Sequence, residues 1–207
     1  MDDEFGRRSR NRHVRSLACV QGGVPAACDN RSMKPLLILS HGLESGPDAT
    51  KVTALAKIAE PLGFRSVRPD YRDLDVHRDP ARIDERIARL IAHAPADAPV
   101  VLAGSSLGAF TSALASTALN CVGLFLIALP VAIPSYARTF DAAPVPTALV
   151  HGWDDELCPV DAAIGFARTR GDAITLLRDD HRLSHHVDFI AEQFRLFLIQ
   201  FNQGQFA

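Results

Sequence analysis

The sequence has no apolar run approaching the ~18 residues a membrane-spanning helix needs; each hydrophobic stretch ends at a turn signal. It also lacks a charge excess: the net charge is −2 and the pI is near 6.4. Such a balance supplies no global basic field to draw the chain to nucleic acid or an anionic membrane, and favours a small neutral or weakly charged substrate. Its four cysteines, Cys19, Cys28, Cys121 and Cys158, show neither paired metal-ligand spacing nor a dense disulfide pattern. That usage suits a reducing compartment, so a cytoplasmic location is expected. Internal repeats and inter-domain linkers are also missing, and 207 residues with 47% hydrophobic content fit one domain with a substantial core.

Residues 1–32 differ from the rest. Arg7, Arg8, Arg10, Arg12 and Arg15 crowd together without apolar periodicity, which reads as a flexible basic extension. A secretory or twin-arginine signal requires an apolar core of about 7 to 15 residues after the arginines, and Arg15 and Ser16 interrupt Val14 to Val20. Met33 directly precedes the first strand-like run, so translation starting there is an alternative origin for the chain.

What is present from residue 33 onward is an alternation of short apolar runs with helical patterns, the signature of a parallel sheet covered on both faces. Strands are expected at Pro35 to Ser40, Phe64 to Pro69, Pro99 to Gly104, Cys121 to Leu129, Thr147 to His151 and Ala173 to Arg178. Val52, Leu55, Ile58, Ala59 and Leu62 recur at helical spacing up to Gly63. Asp79-Pro80 supplies an N-cap and a fixed first φ for a helix burying Ile83, Ile87, Leu90 and Ile91. A last helix aligns Val187, Ile190, Ala191, Phe194, Leu198 and Phe201, with Ser184 as its expected N-cap. The expected class is therefore α/β: three layers, α/β/α, around a minimal, mostly parallel sheet of about six strands. Ligands of such sheets bind beyond the carboxyl ends of the strands.

Polar motifs fall at those ends. The third strand runs through Gly104-Ser105-Ser106-Leu107-Gly108 into a small-residue helix, Ala109 to Leu119, giving G-x-S-x-G between strand and helix. Glycine at both ends lets neighbouring backbone approach, so that Ser106 can take a strained conformation with its hydroxyl exposed. A glycine-serine turn without chemistry reads the same five residues, so a base and an acid on later strand ends are required. The fifth strand leads to His151-Gly152-Trp153-Asp154-Asp155-Glu156-Leu157-Cys158-Pro159, where Asp155, with Asp154 in reserve, can orient an imidazole. The sixth leads to Asp179-Asp180-His181-Arg182-Leu183-Ser184, with His181 the expected base; His185 and His186 compete but fall at the helix start, where a surface position is expected. After the first strand, Ser40-His41-Gly42-Leu43-Glu44-Ser45-Gly46-Pro47 forms a turn able to aim a backbone N–H at a carbonyl oxygen, joining the Leu107 N–H in an oxyanion hole.

These four motifs, in this order from Lys34 to about Phe201, resemble the α/β-hydrolase superfamily, especially small bacterial esterases of the YqiA-like kind. The resemblance implies Ser106, Asp155 and His181 as nucleophile, acid and base, with Leu43 and Leu107 as oxyanion donors. It implies acyl transfer on a small ester or thioester, with no metal or organic cofactor. Two departures stand out. The strands usually found ahead of the oxyanion strand have no counterpart, and only a short proline-containing connection joins Leu129 to Thr147 where many relatives insert a helical cap. An open, lidless pocket is expected, with Ile133, Tyr136 and Phe140 either lining one wall or packing on the surface. Arg72 either holds an anionic group or is a solvated arginine.

Two rival readings frame the expectation. His181 and His185 are four residues apart, as in helical zinc ligands, yet Arg182 stands where a zincin carries glutamate. A catalytically silent binding or interaction module on the same fold is the second, since fold alone does not fix function. Acyl specificity is left open among short esters, thioesters, acyl glucuronides and small amides.

Overall fold

The computed structural model describes residues 34–202, so the basic extension and the Met33 alternative lie outside the described residues. The apolar runs form six strands: β1 (Leu36–Ser40), β2 (Ser66–Val67), β3 (Val100–Ser105), β4 (Cys121–Ile127), β5 (Thr147–Gly152) and β6 (Ala173–Leu177). Every neighbouring pair is parallel, in the order β2-β1-β3-β4-β5-β6. The order reverses direction at β1, so β1 and β3 flank a crevice at their carboxyl ends, where Ser40 is in register with Gly104.

Strand alternation divides the core into two layers. Ile38, Leu102, Leu124 and Leu149 face one side, where they meet α3 (Ile83–Ala92) and α4 (Leu107–Ser116). Leu37, Val101, Phe125 and Val150 face the other, against α1 (Thr50–Ala59) and α6 (Val187–Ile199). On that side Phe194 and Phe197 approach Phe125 with ring centroids 5.0 and 5.7 Å apart. Fully burying each such side chain contributes roughly 1.5–3 kcal/mol. The remaining helices are the short α2 (Arg72–Asp75) and α5 (Val160–Arg170).

Several boundaries differ from expectation for local reasons. The first helix closes at Ala59, because Pro61 cannot donate to an α-helical ladder; Glu60–Leu62 is a 3₁₀ turn ending at Gly63, whose φ is 78°. Asp79 does cap, accepting from the Ala81 N–H at 2.9 Å, but the turn it opens is 3₁₀ and α3 begins at Ile83. The small-residue helix starts two residues early, at Leu107. Ser184 is not the N-cap of the last helix: Ser184–His186 form a 3₁₀ turn and α6 starts at Val187. The second strand shrinks to two residues at the sheet edge. Residues 128–146, between β4 and β5, contain neither helix nor strand, so among the described residues no cap domain covers the sheet. Among the described residues, no helix is long and apolar enough to cross a membrane.

Candidate active site

The site is built around a one-residue junction between β3 and α4. Ser106 occupies it with φ 55° and ψ −124°, a conformation that costs a non-glycine residue on the order of 1–3 kcal/mol. The surroundings impose it. The Ser106 N–H donates to the Ile127 carbonyl at 2.8 Å, while the Ser106 carbonyl accepts from Ala109 at 2.8 Å. Both flanking glycines are required by close approach: a Cβ at Gly104 would lie 2.3 Å from the Gly108 carbonyl carbon, and one at Gly108 would lie 2.2 Å from the Ser40 oxygen. Gly108→Ala therefore has to push α4 off β1. Overpacking of this kind typically costs about 1–3 kcal/mol, and a Tm lower by roughly 3–10 °C, or insoluble protein, is expected by thermal melt.

His181 reaches Ser106 from the loop after β6. Gly152 admits that loop, since a Cβ there would meet the Asp179 carbonyl oxygen at 2.4 Å. The Asp179 carboxylate then pins it, accepting from the Asp180 N–H (2.9 Å), the His185 N–H (3.1 Å), His185 Nδ1 (3.1 Å) and His186 Nδ1 (2.9 Å). His185 and His186 thus serve the loop as clamps and do not meet Ser106. Lys51 adds a bond from Nζ to the Arg182 carbonyl at 2.6 Å.

Within this frame His181 Nε2 is 2.9 Å from Ser106 Oγ, and its Nδ1 is 3.0 and 2.9 Å from Asp155 Oδ1 and Oδ2. A carboxylate only accepts, so Nδ1 carries the proton and Nε2 is left to accept the Ser106 hydroxyl. Asp155, not the exposed Asp154, makes this contact. Its Oδ1 also accepts from the Leu157 and Cys158 N–H groups at 3.0 and 2.7 Å, and its Oδ2 lies 3.2 Å from His151 Nε2. Burial disfavours the charged carboxylate, but the hydrogen bonds from His151, His181 and Cys158 outweigh it and hold Asp155 well below the usual carboxylate range.

Asp179 is shifted in the same direction: desolvation opposes ionisation and bonds from His186 and His185 overcome it. A carboxyl whose folded pKa lies below its unfolded value of about 3.9 stabilises the fold above that pH, and the contribution disappears as pH falls through the folded pKa. Urea midpoints measured against pH are therefore expected to drop below about pH 4, with a shallower decline in Asp179→Asn.

The β1 turn is held from behind by a buried polar cluster. His41 Nδ1 donates to the Gly42 carbonyl at 2.7 Å and Nε2 accepts the Tyr71 N–H at 3.0 Å, so this ring is neutral, with its pKa lowered chiefly by burial. Ser45 Oγ donates to the same Gly42 carbonyl at 3.2 Å. Because a trans peptide is planar, a Gly42 carbonyl turned toward His41 and Ser45 directs the Leu43 N–H to the opposite side. Arg86 completes the cluster: Nη2 donates to the His41 carbonyl at 2.6 Å, Nη1 pairs with Asp75 at 2.8 Å, and the guanidinium carbon sits 4.2 Å from the Tyr71 ring centroid.

Ser106, His181, Leu43 and Leu107 line one cavity of about 200 Å³. Ile133 lines it too, whereas Phe140 and Tyr136 pack on Phe110 with centroids 5.1 and 5.7 Å away. Arg72 is mostly exposed, paired with Asp70 at 2.6 Å, and borders a separate outer groove. Asp155, Cys158 and His181 bring potential metal-ligand atoms within 4.8 Å of one another; His181 and His185 bind different carboxylates and do not form the helical zinc pair considered from spacing. Three contributors escaped the sequence reading: His151, His41 and Arg86. The signal for the histidines was His-Gly at two strand ends; for Arg86 it was a charge on the Ile83–Ile87–Leu90 stripe.

A parallel α/β/α sheet with an imidazole bridging a strained strand-end serine and a buried carboxylate defines a serine hydrolase. No family model and no curated protein matches the sequence. Among solved structures, the chain is 42% identical to a protein of Xanthomonas campestris pv. campestris assigned to the alpha/beta hydrolase superfamily, over 81% of this chain and 99% of that one, with a TM-score of 0.76. It shares its fold with mouse alpha/beta hydrolase domain-containing protein 10 (19% identity, 81% and 91% coverage, TM-score 0.65). The same holds for an a/b serine hydrolase without lid from Xanthomonas campestris (18%, 83% and 84%, TM-score 0.59). The chain belongs to the α/β-hydrolase superfamily.

Proposed function

We propose that this chain cleaves a small ester or thioester through an acyl-enzyme on Ser106. The observation that carries the reading is the single His181 ring, which lies within 3.0 Å of both Ser106 Oγ and the Asp155 carboxylate at the edge of a cavity. His181 takes the Ser106 proton as Oγ bonds to the carbonyl carbon, and returns it to the departing alkoxide or thiolate. Water, deprotonated by the same imidazole, then releases the acid and restores Ser106. Asp155 keeps His181 in the required tautomer and balances its positive charge. Backbone N–H groups of Leu43 and Leu107 are the proposed donors to the tetrahedral oxyanion. Supporting this are the Gly42 carbonyl, whose acceptance from His41 and Ser45 directs the Leu43 N–H the other way, and the position of Leu107 at the first turn of α4, whose N-terminus favours negative charge.

The small, uncapped cavity supports short acyl groups over long ones. The finer kinship with YqiA-like esterases rests on the four loop motifs, and cytoplasmic residence on the cysteine usage; both belong to this proposal. A panel of para-nitrophenyl esters and acyl thioesters from acetyl to dodecanoyl tests it. Turnover falling with chain length and absent in Ser106→Ala is expected; no Ser106-dependent turnover of any member contradicts the reading.

A further inference from the structure

We propose that Arg86 is a positioning residue for the oxyanion donor at Leu43: through the His41 carbonyl it fixes the turn after β1 on the Ser106 elbow. The inference rests on the hydrolase reading and names a further residue of the same site. The β1 ladder with β3 ends at Ser40, in register with Gly104, so the His41 carbonyl lies past the last strand pairing. A side chain supplies its donor: Arg86 Nη2, at 2.6 Å. The same oxygen is packed against α4, since a Cβ at Gly108 would lie 2.5 Å from it. The next residue touches the elbow: a Cβ at Gly42 would be 3.4 Å from the Ser105 carbonyl oxygen and 3.5 Å from Ser106 Cβ. The His41–Gly42 peptide is thus held by Arg86 and seated on the elbow, immediately ahead of the Leu43 N–H.

Arg86 is held in turn. Its Nη1 donates to both Asp75 oxygens, at 2.8 and 2.9 Å, and its guanidinium carbon lies 4.2 Å from the Tyr71 ring centroid. Tyr71 donates its N–H to His41 Nε2, and its hydroxyl is 3.1 Å from Ser40 Oγ, so the residues that seat Arg86 also brace the end of β1. Arg86 is 1% exposed, an unusual position for a permanent charge. Stability alone is a weak account of the pair, because apolar side chains of similar volume commonly match or better a buried ion pair. What an apolar pair does not supply is a planar fork whose terminal nitrogens bind a carboxylate on α2 and a carbonyl past β1 at once. Oxyanion donors act by standing where charge develops, and a misplacement of about 1 Å lowers turnover about 10²-fold. Fixing the His41 carbonyl orients the planar peptides that follow, of which the Gly42 carbonyl is bonded to His41 and Ser45 and the next N–H is that of Leu43.

Arg86→Met combined with Asp75→Leu tests this, because removing both charges leaves neither buried and unpaired. On para-nitrophenyl butanoate, kcat per fluorophosphonate-titratable site is expected to fall about 10²-fold, with KM within about threefold of wild type. A trifluoromethyl ketone of the same acyl length adds to Ser106 and presents an oxyanion to the hole, so its Ki is expected to rise by a similar factor. A purely structural role for Arg86 would lower Tm or the number of titratable sites and leave kcat per site and Ki at their wild-type values, which overturns the proposal. Arg86→Lys keeps a charge beside Asp75 and gives a second readout should the double variant not fold. Lysine lacks the fork, so kcat per site is expected to fall about tenfold with Ki rising in step; unchanged kcat and Ki per site overturn the proposal. Ser106-dependent turnover that both variants retain in full overturns this inference alone, whereas no turnover of any ester by the wild type overturns the hydrolase reading beneath it.

Discussion

Ser106→Ala is expected to lower kcat on an ester substrate by about 10⁶-fold, the scale found when the nucleophile of a Ser-His-Asp unit is removed. Residual rate above water is expected from the oxyanion donors and binding alone, at about 10³ to 10⁴-fold. The loss is confined to chemistry. Ser106 sits in its left-handed conformation because Gly104, Gly108 and the Ile127 carbonyl force the elbow, and alanine inherits that geometry. Tm is therefore expected to change little. Ser106→Gly, equally inactive, should melt higher than Ser106→Ala, since glycine accepts positive φ without strain. Steady-state kinetics and a thermal melt on the same preparations check both halves.

The second large effect concerns Asp155→Asn, expected to reduce kcat about 10⁴-fold through the wrong imidazole tautomer. The structure specifies how. Asp155 Oδ1, 3.0 Å from His181 Nδ1, is already held by the Leu157 and Cys158 N–H groups, so an asparagine must keep its carbonyl oxygen there and place its NH₂ where Oδ2, at 2.9 Å, now faces His181 and also His151. Two donors cannot face each other. His181 then carries its proton on Nε2 and has no lone pair for the Ser106 hydroxyl. KM is expected to move little. Asp154→Asn, at the exposed neighbour, is the control and should stay within a few-fold of wild type.

Much of this was legible in the sequence because strands and strand-end loops leave strong local marks. Val100 to Ala103 followed by GSSLG can hardly be read except as a buried strand turning sharply, and the acid and histidine loops follow later strands in order. Asp155 over Asp154 depended on which of two adjacent carboxylates turns inward, a matter of loop backbone that residue type does not encode. The misplaced helix starts share a cause: Asp79-Pro80 and Ser184 mark turns, and whether a turn is 3₁₀ or α depends on bonds made one turn further on. Tyr136 and Phe140 were ambiguous because an aromatic in a connection packs on whatever lies beneath it, here Phe110. His41, His151 and Arg86 act through neighbours distant in sequence, Arg86 reaching the His41 carbonyl across 45 positions. Such contacts exist only once β1 and α3 have docked.

The central claim is that His181, held by Asp155, makes Ser106 a nucleophile. Its most direct measurement is intact-protein mass spectrometry after brief exposure to a fluorophosphonate, with the adduct located by peptide mapping. A single adduct on Ser106 in the wild type is predicted, absent in Ser106→Ala and formed far more slowly in His181→Ala. An unlabelled wild type that is correctly folded, or an adduct at another residue that persists in Ser106→Ala, would contradict the account.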